Sequence, residues 1–295
     1  MKKLLFILNP CAGKKKANKI LPTLLGLFNR AGYDTQTFIT GARGEATDLV
    51  EQKAKDVDLI VCCGGDGTFN ETVSGILKSG ASTPIGYIPT GSTNDFAESL
   101  GLPLKPLDAA KRIIEGTPQQ YDVGSFNGRH FTYVASFGAF TRSSYATSQK
   151  VKNRLGHTAY ILGGMKDLFH IHKIPMAVEL DGEEKIEGEY IFGAICNSTS
   201  IGGVMKLNPE QVNMSDGLFE VMLIRKPKGL GELFECLRAV KKQKYDTCRM
   251  MTFRSAHSLK VTAAADLAWT LDGEMETGHS EISVMNHHLA ITLVK

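Results

Sequence analysis

The chain has 295 residues, 42% of them hydrophobic and 22% charged, and a formal net charge of +3. This length is sufficient for two domains with a sizeable core, and so small a net charge gives no argument for nucleic acid as a partner. The six cysteines lack metal-ligand spacing, which is typical of a protein of the reducing cytoplasm. No apolar run approaches the ~20 residues of a membrane span, so we expect a soluble protein.

Residues 1–125 alternate apolar strand patterns with helical patterns. Strands are predicted over residues 3–8, 34–40, 57–63 and 85–88, and helices over residues 19–29, 45–55, 70–78 and 108–115. Repeated strand–helix units predict a doubly wound α/β domain with a mostly parallel sheet, in which ligands bind at the carboxyl ends of the strands.

From about Gly124 the pattern changes to short strands separated by turn pairs such as Asn127-Gly128. Strands are predicted over residues 131–137, 176–180, 190–197, 218–224, 258–262, 268–271, 281–284 and 289–294, and helices over residues 145–168 and 230–244. We therefore predict two domains, an α/β domain over residues 1–125 and a mainly antiparallel β-sandwich over residues 126–295.

One glycine-rich run, Gly64-Gly65-Asp66-Gly67-Thr68, directly follows the predicted strand 57–63. Glycines let backbone amides approach phosphate oxygens, and the helix predicted from Asn70 adds N-terminal amides that favour negative charge. The run also fits a tight turn. The chain has no Gly-x-x-x-x-Gly-Lys-Ser/Thr loop, and Asn70 stands where a dinucleotide fingerprint needs its third glycine. The sequence therefore predicts a phosphate site of a different kind.

A second motif, Pro89-Thr90-Gly91-Ser92-Thr93-Asn94-Asp95-Phe96-Ala97, follows the predicted strand 85–88 and leads into a helix. Its hydroxyls and amides suit phosphate oxygens, and Asp95 suits a hydrated magnesium ion. A turn capped by Ser92 or Thr93 is the alternative interpretation.

Together with Asn9-Pro10-Cys11-Ala12-Gly13 and Leu271-Asp272-Gly273-Glu274, these loops resemble the catalytic fold of the diacylglycerol kinase family. That family includes soluble bacterial lipid kinases and the sphingosine and ceramide kinases. The resemblance covers nearly the whole chain in the right order. GGDGT alone is shared with NAD kinases and phosphofructokinases, whereas Asn94-Asp95-Phe96-Ala97 resembles lipid kinases specifically.

The resemblance implies a fold and an activity. The fold is an NAD-kinase-like α/β domain followed by a β-sandwich that completes the active site and carries the lipid-binding side. The activity is transfer of the ATP γ-phosphoryl group to the hydroxyl of a neutral lipid, with diacylglycerol the first candidate and phosphatidic acid its product. Such an enzyme is expected in the cytoplasm, peripheral to the inner face of the membrane, and a homodimer is the assembly that the family suggests.

The resemblance also assigns roles to residues. The implied ATP site comprises Asn9, Pro10, Cys11, Ala12, Gly13, Thr40, Gly64, Gly65, Asp66, Gly67, Thr68, Asn70, Glu71, Gly91, Ser92 and Asn94. An acidic network around the nucleotide Mg²⁺, acting through water, is implied for Asp66, Asp95 and Asp122. Glu274 is the implied general base, with Asp66 as second and Asp272 as third candidate. Without the resemblance, Asp272-Gly273 is a hairpin turn and Asp122 a strand-end residue.

A further segment, residues 208–218, resembles a structural magnesium site of the family. The Asp216 carboxylate and the backbone carbonyls of Asn213 and Leu218 would bind this second Mg²⁺. Position 213 is Asn where some relatives carry an acidic residue, so the net charge of the site is lower. A plain Asp-Gly turn is the alternative.

Several surface features have weaker interpretations. The run Lys14-Lys15-Lys16 would steer ATP or an anionic membrane to the site, with a solvated helix start as the equal alternative. Lys150, Lys152 and Arg154 would line a lip over the lipid site. The helix from Leu230 is predicted to pack on the core through Leu230, Leu233, Phe234, Leu237 and Val240, with membrane contact as the alternative. His287 and His288 are interpreted as surface histidines without partners.

Two other functions stay open at this point. The first is a kinase of a soluble acceptor in the manner of an NAD kinase, against which the Asn94-Asp95-Phe96 sequence argues. The second is a non-catalytic nucleotide- or lipid-binding regulator. The complete set of candidate acids argues against that second function. GTP is an alternative donor to ATP.

Overall fold

The computed structural model describes residues 1–13, 17–139, 172–201 and 205–295. The described chain divides into two compact units, unit 1 (Met1–Val123 and His287–Lys295) and unit 2 (Gly124–Asn286). The C-terminal nine residues thus belong to the first unit, whereas the predicted division at residue 125 assigned them to the second domain. The predicted helix over residues 145–168 and the six basic residues noted above lie outside the described residues.

Unit 1 is built on a parallel sheet in the order β2-β1-β3-β4, with the end of the last strand, β17, beside β4. Its strands are β1 (Lys2–Leu8), β2 (Tyr33–Ile39), β3 (Leu59–Gly64) and β4 (Ile85–Pro89). Its helices are α1 (Ala17–Arg30), α2 (Glu45–Lys53), α3 (Asp66–Ser79), α4 (Asp95–Ser99) and α5 (Pro106–Glu115), with a 3-10 turn at Ala54–Asp56. The parallel α/β architecture predicted from the sequence is confirmed.

Both faces of this sheet are covered. Ile88 of β4 shares a buried cluster with Phe28 of α1 and Ile113 of α5. Because side chains alternate along a strand, the neighbouring Tyr87 points to the other face, where its ring stacks on Phe69 of α3 at 4.5 Å between centroids. Within the described part of the chain, helices thus cover both faces of the sheet and leave its edges and strand ends for a ligand.

Unit 2 is mainly antiparallel, as predicted, with the strand order β16-β15-β7-β9-β8-β14-β17, and β12 pairs with both β9 and β13. The strands are β5 (Pro118–Phe126), β6 (Arg129–Phe131), β7 (Val134–Gly138), β8 (Ile174–Leu180), β9 (Glu184–Cys196), β10 (Ser200–Ile201), β11 (Met205–Lys206), β12 (Phe219–Arg225), β13 (Met251–Ala256), β14 (Ser258–Thr262), β15 (Trp269–Leu271), β16 (Glu274–Glu276) and β17 (Glu281–Val294). The helix α6 (Leu230–Lys242) follows β12, and 3-10 turns occupy Pro209–Gln211 and Tyr245–Thr247. By these bounds β5 begins in unit 1, and β17 ends there.

Three sequence predictions were wrong in detail. The single strand over residues 131–137 is two strands, because the amides of Thr132 and Tyr133 donate to a side-chain carboxylate instead of a neighbouring strand. The strands at 281–284 and 289–294 are one, β17, in which Leu289 adopts a positive φ of 51°. Helix α6 buries Leu233 but exposes Leu230 and Phe234, which were predicted to pack on the core.

Within the part of the chain that the structure describes, no helix combines the length and the apolarity needed to cross a membrane.

Candidate active site

Three loops of unit 1 follow the carboxyl ends of neighbouring parallel strands, β1, β3 and β4. Leu8, Cys63 and Ile88 are in register, so these strands end side by side. Past the strands, the amide of Asn9 donates to the Cys63 carbonyl at 2.9 Å, and the amide of Thr90 donates to the Gly64 carbonyl at 2.7 Å. The two glycine-rich motifs and the Asn9–Gly13 segment therefore meet at one edge of the sheet, as expected for the ligand end of this fold.

The three loops pack backbone against backbone, and this contact needs glycine. Gly13 has a φ of +54°, and a Cβ there would lie 2.2 Å from the Thr90 carbonyl oxygen. A Cβ on Gly91 would lie 2.7 Å from the Cα of Gly65. No side chain fits at these positions without displacing the neighbouring loop.

Helix α3 begins at Asp66, four residues earlier than the sequence predicted, and its first turn carries the glycine-rich motif. At this end the Phe69 amide donates a helical hydrogen bond to the Gly65 carbonyl at 3.0 Å. The amides of the three preceding residues have no acceptor inside the helix, and they provide the partial positive charge of a helix N-terminus. The structure thus favours the phosphate-site interpretation of the motif over a simple turn.

Asn9 joins the first loop to α3. Its side-chain nitrogen donates to the Thr68 hydroxyl at 2.8 Å, and its side-chain oxygen accepts from the Cys11 amide at 2.9 Å. Pro10 and Ala12 lie in the same β1–α1 loop, and Gly67 and Asn70 lie in the first two turns of α3. The first turn of α3, which carries these helix N-terminal amides, is therefore bonded to the Asn9–Gly13 segment.

Asp66 connects the two glycine-rich motifs. Its carboxylate oxygens accept from the amides of Asp95 and Phe96, at 3.3 and 3.4 Å, at the start of α4. Asn94, with a φ of +57°, precedes the helix and closes the loop by bonds to both the amide and the carbonyl of Gly91. The predicted alternative of a Ser92 or Thr93 cap is wrong, because no side chain caps α4 from its own loop and the Asp66 carboxylate, in the first turn of α3, accepts from these amides.

Two other predicted ATP residues, Thr40 and Glu71, form hydrogen bonds with the backbone of neighbouring segments of unit 1. The amide of Thr40 donates to the Leu8 carbonyl at 2.9 Å, which continues the β1–β2 pairing past β2. The Glu71 carboxylate accepts from the Gly44 amide at 2.9 Å and thereby fixes the turn before α2.

Asp122 lies in the middle of β5, whereas the residue pattern alone predicted a strand end. It is fully buried, and its carboxylate faces the C-terminal segment of unit 1. One oxygen accepts from the Leu289 amide at 2.7 Å and lies 3.0 Å from the Nδ1 atom of His288. The interpretation of His288 as a histidine without a partner is therefore wrong. No local pattern predicts this pairing, because 166 positions separate the two residues.

Among residues 1–13, 17–139, 172–201 and 205–295, no three His, Cys, Asp or Glu side chains come together as a ligand cluster for a metal ion. Asp66, Asp95 and Asp122 are thus not arranged as a direct three-carboxylate site. A role through water molecules, which Mg²⁺ commonly retains, stays a prediction.

In unit 2, Asp272 is buried in the β15–β16 turn, with a positive φ of 51°. Its carboxylate accepts from the amides of Thr132, Tyr133 and Val134 and from the Thr132 hydroxyl, at distances from 2.6 to 3.1 Å. Burial raises the pKa of this carboxyl, although the four hydrogen bonds act in the opposite direction. Asp272 therefore anchors the hairpin that carries Glu274.

Glu274 differs from Asp272 in being open to solvent, with 40% of its side chain exposed. The guanidinium of Arg129 contacts Glu274 at 3.0 Å and also bonds Glu276, two residues along the same strand. Partial burial acts to raise the pKa of Glu276, but the hydrogen bonds from Arg129 and Thr277 lower it overall. Arg129, which is bonded to both carboxylates, therefore fixes the orientation of Glu274, the predicted base.

The predicted structural magnesium segment forms a tight turn before β12. The Asp216 carboxylate accepts from the Leu218 amide at 3.0 Å, and the Leu218 carbonyl accepts from the side chain of Asn286 at 3.2 Å. Glu220 is 2% exposed, and burial together with the charge of Asp216 raises its pKa to about 8. One buried oxygen of Glu220 has no hydrogen-bond partner among the residues that the structure describes. Such a site suits a cation, so the donor set fits the predicted metal.

Sequence reasoning missed Arg129, Glu276 and Glu220. Glu274 and Glu276 have the i, i+2 spacing that puts both on one face of a strand, which is a readable signal. Glu220 stands alone as a carboxylate in the apolar strand β12, which is also readable. No local pattern connects Arg129 to them.

The fold defines a class of proteins with an α/β unit and an antiparallel β unit. An NAD kinase from Archaeoglobus fulgidus, solved in complex with ATP, superposes with a TM-score of 0.55 at 13% identity, covering 99% of this chain and 93% of that one. A putative diacylglycerol kinase from Bacillus anthracis str. Sterne superposes with a TM-score of 0.82 at 24% identity, covering 99% and 95%. At these identities the two likenesses show the fold alone.

Sequence comparison gives the family. The family model described as "Diacylglycerol kinase catalytic domain" matches residues 3–126. The model described as "YegS C-terminal NAD kinase beta sandwich-like domain" matches residues 134–292. The chain is 34% identical over 276 residues to a diacylglycerol kinase of Bacillus subtilis (strain 168), covering 93% of this chain and 90% of that one. A diacylglycerol kinase of Staphylococcus carnosus (strain TM300) is 32% identical over 91% of this chain and 87% of its own length. The chain belongs to the diacylglycerol kinase catalytic domain family.

Proposed function

We propose that this protein is an ATP-dependent diacylglycerol kinase that transfers the γ-phosphoryl group to the free hydroxyl of diacylglycerol and forms phosphatidic acid. The observation that carries the proposal is the 34% identity, over 93% of the chain, to a relative named diacylglycerol kinase. The geometry of unit 1 supports it, because the glycine-rich loops meet at the carboxyl ends of β1, β3 and β4, where ligands of parallel sheets bind.

ATP binds on the three loops of unit 1. Amides at the start of α3 face the phosphates, and the glycine contacts among Gly13, Gly65 and Gly91 keep the loops in place. Asp66 holds the α3 and α4 N-termini in one arrangement through its bonds to the Asp95 and Phe96 amides. Catalysis of phosphoryl transfer is largely positioning plus charge neutralisation, which pre-arranged amides supply.

Mg²⁺ that accompanies the nucleotide would neutralise charge on the β- and γ-phosphates. Asp66 and Asp95 would hold it through water, and Asp122 would support this arrangement from its buried position. A second Mg²⁺ would sit on Asp216 with the carbonyls of Asn213 and Leu218, beside the unpaired oxygen of Glu220.

Glu274 takes the proton from the lipid hydroxyl. It is the candidate base whose carboxylate is open to solvent, whereas the carboxylate of Asp272 is saturated by four donors and that of Asp66 faces two helix amides. A positioned carboxylate of this kind contributes about 10²–10⁴-fold to the rate. The enzyme would act at the inner face of the membrane, where its substrate lies, and the homodimer stays a prediction.

The test is transfer of labelled phosphate from ATP to diacylglycerol in detergent micelles, with ceramide, sphingosine and NAD in parallel reactions and with Mg²⁺ present or absent. The proposal predicts magnesium-dependent label on diacylglycerol and none on NAD. Label on NAD alone would contradict the lipid kinase assignment, and label on another lipid alone would contradict the choice of substrate.

A further inference from the structure

The outer face of helix α6 exposes two large apolar side chains. Leu230 is 66% exposed and Phe234 63%, and they lie one turn apart. The opposite face of the helix is buried through Leu233, Cys236 and Ala239. The helix is therefore already packed on its unit by one face, and the Leu230–Phe234 pair is not part of the described core.

The same face continues as a cationic surface. Arg238, Lys241 and Lys242 follow Phe234 at helical spacing, and all three are exposed. None of the three has an ion-pair partner within the residues that the structure describes. We call Leu230, Phe234, Arg238, Lys241 and Lys242 the α6 outer face.

The charge around this face is concentrated. Residues 225–249 contain eight Lys or Arg and three Asp or Glu, a net charge of +5, whereas the whole chain has +3. Two of the three acids have other partners, because Glu232 accepts from the Lys228 amide and Glu235 lies 3.7 Å from the Arg249 guanidinium. The net charge of this segment thus exceeds that of the whole chain.

We propose that the α6 outer face docks the protein on an anionic lipid bilayer, with Leu230 and Phe234 inserted among the headgroups and Arg238, Lys241 and Lys242 on the lipid phosphates. A helix with bulky apolar residues and a basic patch on one face is the form that binds in the plane of a bilayer. A second copy of the chain would bring like charges together, which disfavours self-association through this face. This proposal rests on the proposed function in one respect: a kinase of a membrane lipid must reach a membrane.

The experiment is co-flotation of the full chain with vesicles of phosphatidylcholine alone or with about 30 mol% phosphatidylglycerol, at low and high salt. We expect binding to the anionic vesicles alone, weakened by salt. The double variant Leu230→Gln/Phe234→Gln should reduce binding about tenfold. The double variant Lys241→Gln/Lys242→Gln should do so about as strongly. Leu104→Gln, at another apolar residue that is 54% exposed, is the matched control and should bind as the native chain does.

A fluorescent variant reports insertion directly. The one tryptophan, Trp269, is 1% exposed, so an added Phe234→Trp residue supplies the environment-sensitive emission. We expect a blue shift on anionic vesicles and quenching by bromine-labelled acyl chains. Unchanged flotation of Leu230→Gln/Phe234→Gln, or an unshifted Phe234→Trp emission on bound protein, would overturn the proposal.

Two further results separate the alternatives. A change from dimer to monomer in Leu230→Gln/Phe234→Gln, with unaltered flotation, would assign the face to a second copy and contradict the proposal. Vesicle binding that follows the pattern above, in a protein that phosphorylates no lipid, would leave the docking surface standing while the proposed function fails.

Discussion

The Arg129 guanidinium bonds Glu274 at 3.0 Å, and its other terminal nitrogen bonds Glu276. One cation thus holds two carboxylates that lie on the same face of β16. The planar guanidinium can serve both partners at once, which the point charge of a lysine does less well. Arg129 is therefore a positioning residue for the proposed base.

We expect Arg129→Gln to lower kcat for diacylglycerol about tenfold or more, because Glu274 loses its fixed orientation. KM for ATP should stay unchanged, since the ATP loops belong to unit 1. Arg129→Lys should recover part of the activity, which a loss of folding would not explain. Steady-state kinetics on lipid micelles measures kcat and the KM for ATP of both variants. An unaltered kcat in Arg129→Gln would contradict the positioning role of Arg129.

The lowered pKa of Glu276 predicts a pH dependence of stability. A carboxyl whose pKa is lower in the folded than in the unfolded state stabilises the fold above its ordinary value of 4.5, and this contribution is lost as the pH falls through the folded pKa. Glu276→Gln should therefore lower the unfolding free energy at pH 7 by on the order of 1 kcal/mol, because the pair is partly exposed and screened.

Urea unfolding at pH 7 and at about pH 3 measures this difference, which should shrink at the lower value. Glu281→Gln, at an exposed acid at the start of β17, is the control and should show little change at either pH. A difference between Glu276→Gln and the native chain that grows on acidification would contradict the assigned direction.

The glycine contacts between the ATP loops predict a selective defect. Gly91→Ala would place a Cβ 2.7 Å from the Cα of Gly65 and from the Oδ1 atom of Asn94, so one loop must move. ATP affinity should fall about tenfold or more, because amides must be placed closely to bind phosphate. Gly229→Ala, where a Cβ meets nothing within 4 Å, is the matched control. Calorimetric titration with ATP distinguishes them, and equal affinities would refute the packing argument.

The unpaired oxygen of Glu220 beside Asp216 predicts that a divalent cation stabilises unit 2. Saturating Mg²⁺ should raise the midpoint of thermal unfolding, and a chelator should lower it, because a ligand that binds the folded state alone shifts the equilibrium. Asp216→Asn should abolish the magnesium response, while Asp246→Asn, at an exposed acid outside the turn, should keep it. A response that survives in Asp216→Asn would place the cation elsewhere.

Sequence patterns predicted the parallel unit well, since β1, β3 and β4 are apolar runs bounded by glycine motifs. Their register brings those motifs together at one edge of the sheet, whereas the ATP role of the Asn9–Gly13 segment was inferred only from the family resemblance. The early start of α3 could not be inferred, because glycines and an aspartate at a helix start look the same as a turn.

Contacts between residues far apart in the chain could not be predicted from the sequence. The Asp122–His288 contact depends on the return of the C-terminal segment to unit 1, and the Asp66 bonds to α4 depend on which of several loops meet. For α6, a helical pattern of five apolar residues did not reveal which would be buried. The buried side chains are Leu233, Cys236 and Ala239, and Leu230 and Phe234 lie outside this stripe.

Single-turnover transfer of labelled phosphate from ATP to diacylglycerol, compared between Glu274→Gln and Glu276→Gln, tests the central claim most directly. The two variants make the same chemical change at two carboxylates bonded to the same arginine. The account predicts loss of about 10²–10⁴-fold in Glu274→Gln, with Glu276→Gln retaining a rate within about tenfold of the native enzyme. A Glu274→Gln rate equal to that of Glu276→Gln would contradict the assignment of Glu274 as the base.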